Sequence, residues 1–163
     1  MNRVIILLAT VLIMNQFQCG GQKKVDIKND LSAIKQIPAE KWELLKTKNF
    51  YFGHQSVGFN IIEGIELIML EIPEISLDIK ETKSASDFKS SIFAHSAVGE
   101  NKDPFSKIMD FKNIMHSGVG DSVDYAFFKF CYIDIKEDTD VQRVFATYKK
   151  VLDSLEMRFP NTT

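Results

Sequence analysis

The sequence is short of the residues that cross-link, kink or span. It has two cysteines, four prolines and one tryptophan among 163 residues. With Cys19 near the start and Cys131 deep in the chain, no disulfide framework can be built. Cys131 lies within Phe127-Phe128-Lys129-Phe130-Cys131-Tyr132 and reads as a small buried apolar residue rather than a reactive thiol. An excess of one charge is also missing. The formal net charge is −2 with both signs interspersed, and no basic stripe or arginine cluster marks nucleic acid as a partner. The histidines form no i, i+4 pair and no Cys/His spacing suited to zinc. The carboxylates after residue 133 lack the regular alternation and central glycine of a calcium loop. Neither a metal nor a cofactor is expected.

The one long apolar run, Val4 to Met14, is broken only by Thr10 and preceded by the single cation Arg3. That is the length of a signal-peptide core and too short to cross a bilayer comfortably. Cys19 follows, and Gly20-Gly21-Gln22-Lys23-Lys24 reads as a polar tether. Residues 1–18 are therefore expected to be a signal peptide, with Cys19 the lipidation site and 19–37 a linker. Gln16-Phe17-Gln18 lacks the small residues favoured before such a cysteine, so ordinary secretion and an uncleaved anchor stay open. The chain is expected in the cell envelope, periplasmic or on the outer surface, touching the membrane through a lipid anchor only. Residues 38–163 have the length of one domain.

Pro38 suits the first position of a helix over 38–47, with Trp42 and Leu45 at i, i+3 spacing. Lys48–Gly53 is the first strand. From Val57 the apolar residues Ile61, Ile65, Ile68 and Ile72 keep helical spacing until Pro73. Ile75, Leu77 and Ile79 alternate with polar residues, which predicts a half-exposed strand over 75–81. Residues 82–103 read as a long polar loop. Asp103-Pro104 is a helix start and Gly118 its stop. Val123–Ile133 reads as a strand buried on both faces, followed by a helix capped by Asp138 or Asp140 and ended by Pro160. The carboxylates Asp134, Glu137, Asp138 and Asp140 read as a solvated loop and cap. Strand–helix alternation predicts an α/β fold with a parallel sheet of about three strands, one edge bare and apolar.

The chemistry concentrates at Gly53-His54-Gln55-Ser56-Val57-Gly58. A serine on a tight strand-to-helix turn exposes its hydroxyl above a sheet, next to the N–H groups of a helix start. Ser56 is the candidate nucleophile; the competing role is that of a helix N-cap, which needs no chemistry. His54 is either a site residue or a buried, hydrogen-bonded histidine. All three histidines share the pattern His-x-x-Val-Gly, at His54, His95 and His116. His95 is a candidate base or a solvated loop residue. His116, beside the stop signal Gly118, is left out of the site. Gly99 and Asn101 offer the donor types that stabilise an oxyanion, and equally those that make turns.

The strand–Gly-His-Gln-Ser-Val-Gly–helix segment resembles the SGNH/GDSL hydrolase superfamily. So does its combination with Phe93-Ala94-His95…Val98-Gly99-Glu100-Asn101-Lys102-Asp103-Pro104 and Lys129-Phe130-Cys131-Tyr132-Ile133-Asp134-Ile135. The resemblance spans about residues 46–160. It implies a flavodoxin-like, three-layer α/β architecture and an esterase acting on small-molecule or glycan esters, carbohydrate O-acetyl groups among them. Ser56 would be the nucleophile, Gln55 the residue some carbohydrate esterases place before it, and Gly99 the second-block oxyanion donor. The third-block Asn is expected where this chain has Cys131-Tyr132-Ile133-Asp134, and Asn101 is its only substitute. The family's C-terminal Asp-x-x-His pair has no counterpart, so the resemblance implies a C-terminally truncated, impaired enzyme. A non-catalytic envelope binding module and a non-functional fragment are the competing expectations. Oligomeric state is not legible.

Overall fold

The structure, a computed structural model, describes residues 31–163. The expected signal peptide, Cys19 and most of the expected linker lie outside the described residues. The compact unit that carries the fold runs from Ile34 to Thr163.

After a 3-10 turn at Ile34–Gln36, Pro38 precedes helix α1 (Ala39–Leu45), which turns Trp42 and Leu45 inward. Strand β1 (Phe50–His54) leads through Gln55 and Ser56 into helix α2 (Val57–Glu71). Strand β2 (Ile79–Glu81) is short, and strand β3 (Phe93–Ala97) follows. Helix α3 (Pro104–Ile114) starts at the Asp103 cap, whose carboxylate accepts from the Ser106 N–H at 3.0 Å. A π-helical turn, Met115–Val119, ends it, with Gly118 at φ 107°. Strand β4 (Tyr125–Phe128) precedes a 3-10 turn at Tyr132–Asp134 and helix α4 (Val141–Arg158). Of the two aspartates expected to cap α4, Asp140 does so, accepting from the Arg143 N–H at 2.9 Å.

Among the described residues the sheet has four strands, all parallel, in the order β2-β3-β1-β4. The α/β class is therefore as the alternation predicts, but the strand count is corrected. The expected loop over 82–103 contains β3, which pairs with both β1 and β2. Its pattern Phe93-Ala94-His95-Ser96 hides a strand because a histidine and a serine occupy buried positions. The second strand shrinks from 75–81 to Ile79–Glu81.

β1 is central and almost wholly buried, and strand alternation divides its side chains between two cores. Tyr51 joins Ala94, Val98, Ile108, Phe111, Val144 and Val151 under α3 and α4. Phe52 joins Phe93 and Ile62 under α2. Helices thus cover both faces.

β4 corrects the expectation of a doubly buried strand over 123–133. It is an edge strand of four residues with Tyr125 and Phe127 exposed. Its aromatics are used in cross-strand pairing instead: Tyr125 stacks on Phe50 with centroids 5.2 Å apart, and Phe127 on Phe52 at 4.9 Å. Nor is its outer edge wholly bare. Thr163 N donates to Asp124 O, and Ala126 N to Thr163 O, each at 2.9 Å.

Candidate functional site

The carboxyl end of β1 gathers the candidate chemistry. Ser56 stands at φ 49°, ψ −109°, a conformation that sterics disfavour for an L-residue. It occupies the N-cap position of α2, yet its side chain makes no capping hydrogen bond. The hydroxyl is exposed and, among the described residues, bonded to nothing. The capping role therefore does not account for the serine. Gly58 is required by packing, since a Cβ there would overlap the His54 ring.

The loops after β3 and β4 close around this turn. The Gln55 side-chain amide donates to Gly99 O at 2.6 Å, and the Cys131 thiol lies 3.6 Å from Gln55 O. Gly99 takes φ 52° and presses so closely on α3 that a Cβ would meet the Lys107 backbone. Its N–H, expected as an oxyanion donor, instead donates to the Asp110 carboxylate at 2.9 Å. Asn101 is exposed, and its Oδ1 accepts from Lys107 Nζ at 3.0 Å. Lys129 Nζ lies 3.2 Å from Cys131 Sγ. Cys131 is buried, as its apolar context predicts.

Lys107 and Asp134, both with fully buried side chains, form an ion pair at 2.6 Å. Asp134 also accepts from Lys102 N at 2.8 Å and Cys131 N at 2.6 Å. Burial pushes the Asp134 carboxyl up, but the Lys107 ammonium and these two N–H groups outweigh it and hold it below its ordinary range. The expectation of a solvated Asp134 is thus corrected: a carboxylate with an ammonium and two backbone donors is stable in the interior. The signal that could have exposed the pair was Lys107 itself. It shares an apolar stripe with Pro104, Ile108, Phe111 and Ile114, and a lysine there demands a buried acidic partner. Among non-glycine described residues only Ser56 and Lys102 have positive φ; Lys102 is one of these contacts and Ser56 follows Gln55, which is another.

His54 and His95 come together, but on the α2 side of the sheet. Both are buried, so the expectation of a solvated loop for His95 is corrected: β3 carries it into the sheet. His54 Nε2 and His95 Nδ1 are 3.0 Å apart, with the Phe59 ring edge-on to both. His54 Nδ1 has no hydrogen-bond partner. Burial, then His95, then Lys129 push His54 down to about 4. Burial also holds His95 down, against the opposing pull of Glu81 and Glu66. Neither ring is hydrogen-bonded to Ser56, so neither is placed as its base. His116 lies apart, packed on Phe159 at 5.6 Å between ring centroids. Among the described residues no three His, Cys, Asp or Glu side chains converge as a metal site would require.

No family model matches the chain, nor does any curated protein or solved structure. The site therefore speaks through its geometry. It presents a strained, exposed hydroxyl at a strand–helix elbow, a helix start beside it, and an exposed amide on an adjoining loop. An exposed hydroxyl on a strained strand–helix turn is a setting in which a serine can take an acyl group, but no imidazole is hydrogen-bonded to it to take its proton.

Proposed function

We propose that this chain is a serine ester hydrolase scaffold of the SGNH/GDSL type, with a flavodoxin-like arrangement of its sheet and Ser56 as nucleophile. Esters of small alcohols or glycans, O-acetyl groups included, are its substrate class. The observation that carries the reading is Ser56 itself: exposed, at φ 49°, and capping nothing. A strained backbone that serves no local bond is the kind of conformation functional turns retain.

In this mechanism Ser56 Oγ attacks the ester carbonyl, forming an O–C bond while the carbonyl electrons move to oxygen. The Val57 N–H, first of α2 and without an intrahelical acceptor, faces that charge together with the Asn101 amide. The oxyanion collapses, the alcohol leaves carrying a proton, and water cleaves the acyl-serine to the acid. The serine proton passes through water to the leaving alcohol, because neither histidine is hydrogen-bonded to Ser56. Turnover is accordingly slow, as when a triad loses its base and keeps only binding and oxyanion stabilisation.

A fluorophosphonate probe on the full chain tests this. Slow covalent labelling is expected, abolished in Ser56→Ala. Absence of labelling would favour the second reading, a non-catalytic binding module, to which the missing base already points. The same proposal puts the chain in the cell envelope, held by a lipid on Cys19. Metabolic labelling with palmitate should mark the wild type and not Cys19→Ala; equal labelling of both would remove the anchor from the proposal.

A further inference from the structure

We propose that the buried Lys107–Asp134 pair is a positioning device that aims the Asn101 amide N–H at the acyl oxygen above Ser56; this rests on the ester-hydrolase reading of that serine. Stability alone does not explain the pair. Burying two charges costs most of what their attraction returns, and apolar residues of similar volume commonly do as well. What an apolar pair could not do is direct hydrogen bonds to both loops that flank the elbow.

Lys107 Nζ holds Asn101 Oδ1, while Asp134 holds the Lys102 and Cys131 N–H groups. Those loops in turn grip Gln55, through Gly99 O on one side and the Cys131 thiol on the other. The ring of contacts is closed around the residue that precedes Ser56. The chemistry of the bond to Asn101 then decides the amide's orientation. An ammonium only donates, so it must face Oδ1, and the Nδ2 donors point away from Lys107. Gly99 N–H is held by Asp110, which leaves Asn101 as the donor from the β3 loop. The positive φ of Lys102, 73°, fits the same account. Its backbone is bent to reach Asp134 and carries Asn101 with it. Lys107 and Asp134 touch no substrate; Lys107 acts through Asn101, and Asp134 through the two loops that carry Lys102 and Cys131.

The test compares full-chain wild type, Asn101→Ala and the double variant Lys107→Met/Asp134→Asn. The double variant removes both charges at nearly constant volume and keeps an acceptor for one of the two N–H groups, which Asp134 receives on different oxygens. It should still melt cooperatively, below wild type by the worth of about one buried hydrogen bond. Fluorophosphonate labelling of Ser56 should slow about a hundredfold in Asn101→Ala and at least about tenfold in the double variant. Combining all three changes should be no slower than Asn101→Ala alone, because the groups act as one unit. Wild-type labelling in the double variant would overturn the proposal. A second readout needs no reactivity: by NMR the Asn101 side-chain amide should be rigid in wild type and mobile in the double variant. If wild type is not labelled at all, the ester-hydrolase reading and the acyl-oxygen role fail together, while a rigid-to-mobile change still supports the anchoring. Equal mobility overturns the anchoring as well.

Discussion

At Ser56 the backbone holds an L-residue at φ 49°, ψ −109°, which glycine adopts at little steric cost. Strain of this kind is worth about 1–3 kcal/mol, and the greater freedom of an unfolded glycine takes back part of it. Ser56→Gly is therefore expected to stabilise the protein by about 1 kcal/mol, raising Tm by about 3–5 °C, while Ser56→Ala leaves Tm near wild type. Thermal unfolding of both variants checks it, and a lower Tm for Ser56→Gly would remove the strain argument. The position of this serine was legible in sequence, because an apolar strand, a Gly-rich turn and a helical pattern meet there. Its freedom from capping was not, since serine before a helix looks the same whether its hydroxyl caps or not. The roles of Lys107 and Asp134 were hidden for a different reason. They stand 27 positions apart, and no local pattern pairs residues that only the sheet brings together.

The β4 edge shows how an element departs from its own sequence. Phe127, Phe128 and Phe130 suggest burial on both faces, but a strand with one paired neighbour buries what the surrounding layers allow. Tyr125 and Phe127 lie open on stacked aromatic neighbours, while Phe128 packs against Phe111 at 4.8 Å between centroids. The outer edge is engaged by Thr162 and Thr163. Thr163 forms its two backbone bonds to Asp124 and Ala126, and the Thr162 hydroxyl donates to Gly120 O or Val123 O, at 2.9 and 3.0 Å. A variant lacking residues 162 and 163 is expected to lose about 1–3 kcal/mol, the worth of a few partly buried hydrogen bonds. It should also self-associate through the uncovered edge. Thermal melts and light scattering measure the two effects, and an unchanged monomer of unchanged Tm would show that these bonds contribute nothing. β3 is the converse case. Its residues looked like loop because His95 and Ser96 are polar, yet His54 and Tyr51 supply partners for them inside the sheet, at 3.0 and 2.7 Å.

For the whole molecule, the histidine pair predicts an acid limit to stability. His54 has an ordinary pKa of 6.5 and is pushed down to about 4 by burial, His95 and Lys129; His95 is shifted the same way. Below pH 6.5 the unfolded chain binds protons that the folded one does not, so stability is full above 6.5 and falls as the pH drops towards 4. His54 alone accounts for up to about 3 kcal/mol of that loss. Asp134, held low by Lys107, withdraws its own contribution at still lower pH. Denaturant unfolding from pH 7 to pH 4 should show this slope, and His54→Leu should flatten it. A slope unchanged in the variant would place the acid sensitivity elsewhere.

The sequence by itself determined the α/β class, the helix over 57–71, the cap at Asp103 and the elbow at Ser56, and narrowed the cap of the last helix to Asp138 or Asp140. Each of these depends on residues within one or two turns of each other, where spacing and local sterics are enough. Only the tertiary structure decided that β3 is a strand and β4 an edge. It also took Gly99 N–H for Asp110, joined His54 to His95 away from Ser56, and buried Lys107 with Asp134. Those outcomes depend on what lies across the sheet, where desolvation and the supply of partners, rather than local preference, set which polar groups are buried and what they bind.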